Sequence, residues 1–178
     1  VAPAILLPGS AVRTDTGARA SQVNVHGIDQ RFVDMFPAVE NFTLNRAGGQ
    51  IFASAVINET LQQELGADVG DAVLLNFHTR DNVPDDTLLG NKQNSEAFGT
   101  IRTTIAAVIP DAGIGRFGLS PNQAFPPNAY VGLGDLQSAL DQDAAINAMF
   151  VSIGNAGRAA ADAARAATAT ARVGSGVS

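Results

Sequence analysis

The sequence has 178 residues, of which 46% are hydrophobic and 16% are charged, and this composition is typical of a folded chain with one or two small domains. Seventeen acidic and eleven basic residues give a net charge of −6, which disfavours nucleic acid or an anionic membrane surface as a partner. The absence of cysteine excludes disulfides, thiolate zinc sites and cysteine nucleophiles.

The first predicted elements are extended. The apolar stretch Ala4–Leu7 stands between Pro3 and Pro8, which predicts a short extended segment bounded by turns. Apolar and polar residues then alternate over Val23–Ile28, the pattern of a strand with one buried face. Asp29 follows and is suited to cap a short helix.

A strand followed by a short helix is the clearest local pattern. Ile51–Ile57 predicts a buried strand, and Asn58 is suited to the N-cap position of the helix. Leu61 and Leu65 would share one helix face, and Gly66 would end the helix in the left-handed conformation.

Strands and a long loop make up the middle of the chain. Ala72–Phe77 predicts a further strand, and the polar residues of Thr79–Gly99 predict a solvated loop or hairpin arm. The odd positions of Ile101–Ile109 are expected to share one face of a strand.

The last third again mixes strands and helices. Ala129–Leu133 and Ile146–Ile153 predict strands, and Asp135 between them is suited to cap a helix. The alanine-rich segment Arg158–Arg172 predicts a helix packed on a sheet, with one polar stripe.

The segment Gly113–Gly118 matches the pattern G-x-G-x-x-G of dinucleotide-binding turns, and it follows the strand that ends at Ile109. Asp135 lies downstream, as an acidic partner of a ribose would. However, Pro121, Pro126 and Pro127 prevent the helix whose N-terminus must face the pyrophosphate. The favoured interpretation is a loop that binds no nucleotide, and no cofactor is expected.

Candidate metal ligands are few. His26 and His78 fall on or just beyond strands, where hydrogen-bonded or exposed imidazoles are the commoner outcome, and a metal site would need a carboxylate supplied by the fold. Asp81, Asp85 and Asp86 lack the spacing of a calcium loop. No metal site is expected.

Serine and aromatic residues give no catalytic pattern. The nucleophile motif G-x-S-x-G is absent, and Ser10 and Ser120 stand near prolines in contexts typical of turns. Phe117, Phe125 and Tyr130 form an apolar set near the glycine-rich segment, for which core packing is favoured over an exposed contact patch. The chain is therefore expected not to be an enzyme.

The order of several motifs is similar to that of a known family. Val25–Asp29 resembles a "GVD" strand, Val56–Thr60 a "V-x-x-E" strand and helix, and Gly66–Asp71 a "G-x-x-x-G-D" turn into strands. Ile101–Pro110 and Ala129–Val131 match later strands of the same family. Together these motifs resemble the extracytoplasmic core domain of ABC-transporter permeases of the macrolide-exporter and FtsX-like type.

The resemblance implies an α+β fold of two lobes. A porter-like α/β lobe would come from residues 1–44 and 128–178, and an inserted strand-rich lobe from residues 45–127. It also implies a location outside the cytoplasmic membrane of a bacterium, between the first two transmembrane helices of a permease. Because the sequence begins at Val1 rather than methionine, we expect it to be a piece of such a protein.

The implied function is to transmit an ATP-driven conformational change to export or release of a substrate, with no catalytic residue. Implied partners are a cytoplasmic ATPase subunit or domain, a second permease copy, and a periplasmic adaptor or substrate protein. The substrate stays open between lipoprotein, peptide, drug and lipid. The main alternative is an envelope module that binds a protein or peptide without coupling to ATP, and an enzyme is the more distant one.

Overall fold

The structure is a computed structural model that describes residues 1–36, 53–79, 97–119, 125–142 and 144–152, without the side chains at positions 78, 79, 97 and 98. The described residues form seven strands, three α-helices and one 3-10 helix. The strands are β1 (Ala2–Arg13), β2 (Arg19–Ile28), β3 (Ala53–Asn58), β4 (Ala72–Thr79), β5 (Ala97–Ile109), β6 (Asn128–Gly132) and β7 (Ala148–Phe150). The helices are α1 (Gln30–Val33), α2 (Glu59–Leu65), the 3-10 helix (Gly113–Arg116) and α3 (Leu133–Ala139).

All seven strands of the described ranges belong to one sheet, in the order β2-β6-β3-β5-β4-β1-β7. Strand β1 also pairs with β2 along its other edge, so that the six strands from β2 to β1 close into a ring. The β2–β6 and β3–β5 pairs are parallel, and the other pairs are antiparallel. Strands dominate and helices are short, which confirms the α+β class.

The sheet corrects the predicted division of the chain. The prediction of a separate lobe from residues 45–127 is wrong for the strands that the structure describes, because β3 pairs with β6 and β4 pairs with β1. The physical reason is that β3, β5 and β4 lie side by side, and the two outer edges of this group pair with strands from the chain ends. Three parts of that predicted lobe lie outside the described residues, at positions 45–52, 80–96 and 120–124.

Two clusters of buried apolar side chains lie on opposite faces of the sheet. Alternate residues of β6 divide between them, because Ala129 and Val131 belong to the larger cluster and Tyr130 to the smaller one. Helices α2 and α3 pack on the larger cluster, and α1 and the 3-10 helix pack on the smaller. None of the helices in these ranges has the length and apolar character needed to cross a membrane.

Strand β1 continues through the two prolines that were predicted to bound it. Pro3 precedes the first β2 pair, at Ala4, so that no hydrogen bond to β2 is lost there. Pro8 lies where the other edge of β1 has no strand partner among the described residues, since β7 pairs as far as Ala4 and β4 begins at Gly9. Both prolines therefore fit an extended strand without removing a ladder hydrogen bond.

An irregularity in β5 changes which residues share a face. Ile101 and Ile105 belong to the larger cluster, as predicted. The register with β3 then shifts, and Ile109 joins the smaller cluster while Val108 packs against the larger one. The prediction of one face for all odd positions is wrong because the bulge adds a residue to β5.

The remaining predicted elements are confirmed or corrected at their ends. Asp29 and Asn58 are N-caps as predicted. Gly66 ends α2 in the left-handed region, with φ of 56°. Asp135 lies in the first turn of α3 rather than at its cap, because α3 begins at Leu133. The predicted helix 158–172 and most of the predicted loop 79–99 fall outside the described residues.

Gly9 allows β1 and β4 to approach closely. A β-carbon at this position would lie 2.3 Å from the carbonyl oxygen of Asn76 in β4, a backbone atom that cannot turn aside. Because β1 is paired on both edges here, neither strand can shift without disturbing the ring. Glycine at position 9 is therefore required by ring closure.

We predict that Gly9→Ala lowers the free energy of unfolding by about 1–3 kcal/mol through overpacking against β4. The matched control is Gly134→Ala, because a β-carbon there meets nothing within 4 Å and helix α3 favours alanine. The control should leave stability unchanged or raise it by less than about 1 kcal/mol. Denaturant unfolding of both variants measures the difference, and equal stabilities would contradict the tight β1–β4 contact.

Candidate functional site

Four polar side chains meet where β2, β3 and β6 run side by side, and we call them the asparagine network: Asn24, His26, Asn58 and Asn128. His26, Asn58 and Asn128 are buried, and Asn24 is half-buried. The parallel pairing of β2 with β6 places Asn24 opposite Asn128, and Asn58 ends the neighbouring strand β3. The fold thus brings together residues that are up to 104 positions apart in sequence.

The Asn58 side chain makes four hydrogen bonds. Its Oδ1 accepts from the backbone N–H groups of Leu61 at 3.1 Å and Asn128 at 2.9 Å. Its Nδ2 donates to the carbonyl oxygens of Gly115 at 3.0 Å and Pro126 at 2.9 Å. One side chain therefore caps α2 and joins it to the start of β6 and to the glycine-rich segment, using its full hydrogen-bonding capacity.

The Asn128 side chain is held in one orientation. Its Nδ2 donates to the carbonyl oxygens of Gly115 at 3.0 Å and Phe117 at 2.9 Å. Its Oδ1 accepts from Nδ2 of Asn24 at 3.0 Å and lies 3.4 Å from Nε2 of His26. Because Oδ1 can only accept, Nε2 of His26 carries a proton, and Nδ1 is the unprotonated nitrogen.

The network fixes residues 113–118, which we call the glycine loop. Its carbonyl groups accept from Asn58, Asn128 and the hydroxyl of Tyr130. The amides of Gly115 and Phe117 donate within the loop and its flank. The first 4 residues of the loop, Gly113–Arg116, form a 3-10 helix rather than the start of an α-helix. Neither of these two amides is therefore free to bind a phosphate.

His26 lies between two aromatic rings. Tyr130 stacks on it with ring centroids 5.0 Å apart, and Phe117 approaches edge-on at 5.4 Å. No hydrogen-bond partner of its Nδ1 is found among the described residues. Burial lowers the pKa of His26 to about 4, and the hydrogen bond to Asn128 opposes this shift. The imidazole is therefore neutral at pH 7.

A cavity of about 200 Å³ adjoins the imidazole of His26, and we call it the His26 cavity. Apolar groups of Leu7, Pro8, Leu119 and Pro126 line it together with the polar side chains of Asn24 and His26. A second, mostly apolar cavity of about 350 Å³ shares Leu6 and Leu7 with it and is also lined by Leu140 and Ile146.

The other predicted candidates that the structure describes do not assemble into a site. The described residues hold no group of three histidine, aspartate or glutamate side chains that could bind a metal ion. His26 lies in the asparagine network, Ser10 lies in β1, and Asp135 lies in the first turn of α3. The remaining candidates lie outside the described residues: the side chain of His78 and the whole of Asp81, Asp85, Asp86 and Ser120.

Of the three aromatic residues predicted to form one apolar set, two pack in the smaller cluster and one is exposed. Phe117 and Tyr130 pack in the smaller cluster around His26, as the core interpretation predicted. Phe125 is 46% exposed, with the Arg116 guanidinium 4.7 Å from its ring centroid. Asn128 is a site residue that was not predicted. The signal for it in the sequence is a polar residue directly after Pro126 and Pro127, at the start of an apolar strand.

No protein-family model matches the sequence, and no curated protein matches it. Among solved structures, the periplasmic region of MacB from Actinobacillus actinomycetemcomitans is similar at 14% identity and a TM-score of 0.48, covering 89% of this chain and 62% of that one. A domain assigned to a permease protein from Porphyromonas gingivalis is similar at 18% identity and a TM-score of 0.41, covering 75% and 45%. This chain spans less than two thirds of either structure.

We predict that Asn58→Asp lowers the free energy of unfolding by about 2–5 kcal/mol. The substitution keeps the acceptor for Leu61 and Asn128 but places an oxygen against the carbonyls of Gly115 and Pro126, in a buried site. Asn76→Asp is the matched control, since Asn76 is half-buried and its Oδ1 accepts from Thr100, a role that a carboxylate retains. The control should cost less than about 1 kcal/mol. Similar losses in both variants would show that the network does not stabilise the fold.

We predict that His26 makes the protein less stable as the pH falls from about 6.5 to about 4. In this window the unfolded chain takes up a proton at His26 and the folded chain does not, so that stability is complete above pH 6.5 and declines below it. The expected loss is on the order of 3 kcal/mol. Unfolding should be compared with His26→Phe, which keeps an aromatic ring beside Tyr130 but cannot titrate. An identical pH dependence in both proteins would contradict the buried, neutral imidazole.

Proposed function

We propose that this chain is an extracytoplasmic domain of an ABC-transporter permease of the macrolide-exporter and FtsX-like type. In this role it transmits an ATP-driven movement of the membrane helices to the export or release of a substrate outside the cytoplasmic membrane. The parent permease would act as a dimer with a cytoplasmic ATPase. The role requires two arrangements of the domain and no covalent chemistry within it.

The observation that carries the proposal is where three sequence motifs fall in the fold. Val25–Asp29 runs from the end of β2 to the N-cap of α1, and Val56–Thr60 runs from β3 across the N-cap Asn58 into α2. Gly66–Asp71 leads from the left-handed end of α2 to β4. Each motif thus occupies the strand, helix or turn junction that the family resemblance implies for it.

The paired ends of the described sheet support insertion into a larger protein. Ala2 of β1 lies opposite Phe150 of β7 in an antiparallel ladder. Among the described residues, the first and the last strand therefore run side by side, as a domain inserted between two adjacent membrane helices requires.

Strand β1 is suited to carry a movement from these ends into the rest of the domain. It pairs with β7 near Ala2, with β2 from Ala4 onward and with β4 from Gly9 onward. A displacement of the paired ends would be passed directly to both neighbours of β1 in the closed ring, whose hydrogen-bonded strands resist deformation.

We predict that replacing residues 1–178 by a short flexible linker in the parent permease abolishes substrate export or release while the complex still hydrolyses ATP. The reason is that mechanical transmission is lost although the nucleotide sites, which lie on another domain, are kept. Transport and ATP hydrolysis are measured on the same reconstituted preparation. Transport that survives the replacement would overturn the proposal.

A finer variant tests the coupling itself. Flexible glycine-serine insertions of about ten residues before Ala2 and after Phe150 should weaken transmission, because such linkers do not carry force at short extension. The same insertion between Thr16 and Gly17, in the exposed turn joining β1 to β2, is the matched control and should be tolerated. If the control insertion weakens transmission as much as the insertions beside Ala2 and Phe150, force does not enter the domain through the paired strands β1 and β7.

A second candidate function is an envelope module that binds a protein or peptide without coupling to ATP. It is favoured by exposed apolar side chains at the paired ends, where Val1, Met149 and Val151 are 66%, 63% and 68% exposed. Isolated apolar exposure is common on protein surfaces, whereas adjacent exposed side chains on a short edge strand are typical of a contact surface. Under this alternative, Met149→Lys would abolish partner capture, and the linker insertions would have no effect.

A further inference from the structure

We propose that the alanine-rich segment 158–172, which lies outside the described residues, docks as a helix on an apolar face formed by β1 and β7. This face consists of Val1, Pro3, Met149 and Val151, and we call it the terminal face. Pro3 is half-buried and the other three side chains are exposed. The proposal does not depend on the transport role, and it assigns to the chain itself a surface that the second candidate function assigns to a separate partner.

The terminal face continues the side of the sheet on which the larger cluster lies. Pro3 is opposite Met149 in the β1–β7 ladder, and continuing this register places Val1 opposite Val151. Residues directly opposite each other in a ladder point to the same side of the sheet. Ile5, two positions after Pro3 in β1, belongs to the larger cluster. The terminal face is therefore the part of this side that helices α2 and α3 leave uncovered.

The cavity of about 350 Å³ extends this apolar surface along β1. Ile5 and Leu7 line it from β1, and Leu140 and Ile146 line it from the segment after α3. Ile5 and Leu7 pack on the same side of the sheet as the larger cluster. At about 3.3 Å per residue, the strand covers about 20 Å from Val1 to Leu7. The terminal face and the cavity therefore offer an apolar surface about one short helix in length.

The segment has the position and the length to cover this surface. Ser152, the last described residue, directly follows the terminal face. Residues 153–157 can span at most about 17 Å, and Gly154 and Gly157 permit the chain to turn back over the sheet. A helix of residues 158–172 would be about 22 Å long, which matches the apolar surface along β1.

The residue pattern gives the segment one side that suits a sheet. On a helix, its charged residues share one stripe: Arg158, Asp162, Arg165 and Arg172. The opposite side of the same helix carries alanine at positions 160, 163, 167 and 171. Alanine favours the helix, and its small side chain lets the helix approach the sheet closely. The alanine side is therefore expected to contact the terminal face, with the charged stripe in solvent.

Charge complementarity favours this segment as the occupant. Its three arginines and one aspartate give a net charge of +2, and the other eight basic and sixteen acidic residues of the chain give −8. The segment is thus attracted to the body of its own chain. A second copy, with a net charge of −6, would be repelled.

Paired cysteines test the docking directly, because the chain has no cysteine of its own. Met149→Cys is combined with Ala160→Cys or with Ala163→Cys, which places one thiol in the terminal face and one on the alanine side. On mild oxidation of the full chain, at least one of these pairs should form a disulfide within one molecule. The matched control combines Met149→Cys with Asp162→Cys, on the charged stripe between them. It should react at least about tenfold more slowly, because the docked helix holds its thiol away from the sheet.

Oxidation of Met149 by peroxide measures how much of the terminal face is covered. The chain has two methionines, which mass spectrometry of peptides distinguishes. Ala163→Glu places a charge against the apolar face and should raise the oxidation rate of Met149 by up to about tenfold, the change for a face covered about nine-tenths of the time. Ala169→Glu lies on the charged stripe, is the matched control and should leave the rate unchanged.

Three results would overturn the proposal. The first is disulfide formation at equal rates with positions 160, 162 and 163, as a chain without a docked helix would give. The second is oxidation of Met149 in the original chain as fast as in a free methionine peptide, which would leave the face open to a separate partner. The third is disulfides between two molecules, with protection of Met149 that rises with protein concentration, which would assign the face to a second copy.

Discussion

The contact between Asn58 and Asn128 is the constraint on which the closed sheet depends. Both side chains are buried, and an amide buried without partners would destabilise the fold by several kcal/mol in total. Here they share the carbonyl of Gly115 as acceptor, and the backbone amide of Asn128 donates to Asn58. Because each bond requires a particular position of α2, β6 or the glycine loop, the network selects one arrangement of these elements.

The same network explains the character of the candidate site. Once both amides are oriented by fixed carbonyls, His26 has only one compatible tautomer, and its second nitrogen is left as a buried acceptor. The aromatic rings of Phe117 and Tyr130 keep water from the imidazole and lower its pKa. A structural requirement of the ring closure thus creates a neutral hydrogen-bond acceptor beside a cavity.

Local features of the fold could be predicted from sequence, whereas long-range ones could not. The cap at Asn58 and the end of α2 at Gly66 follow from interactions within a few residues. The continuation of β1 through Pro8 was not predicted. A strand tolerates proline there because one edge of β1 is unpaired between the part that pairs with β7 and the part that pairs with β4. The partners of Asn128 are 11 or more positions away in the sequence. The predicted lobe boundary at residue 45 failed because pairing between distant strands leaves no signal in the hydrophobic periodicity of the sequence.

The most direct measurement of the central claim is amide hydrogen exchange at Leu61 and Asn128, whose backbone N–H groups both donate to the side chain of Asn58. If the network is a fixed part of the core, both amides should exchange only through global unfolding, with the free energy obtained from denaturant. Exchange of these two amides through a local opening of much lower free energy, while Ile57 in β3 stays protected, would contradict the account.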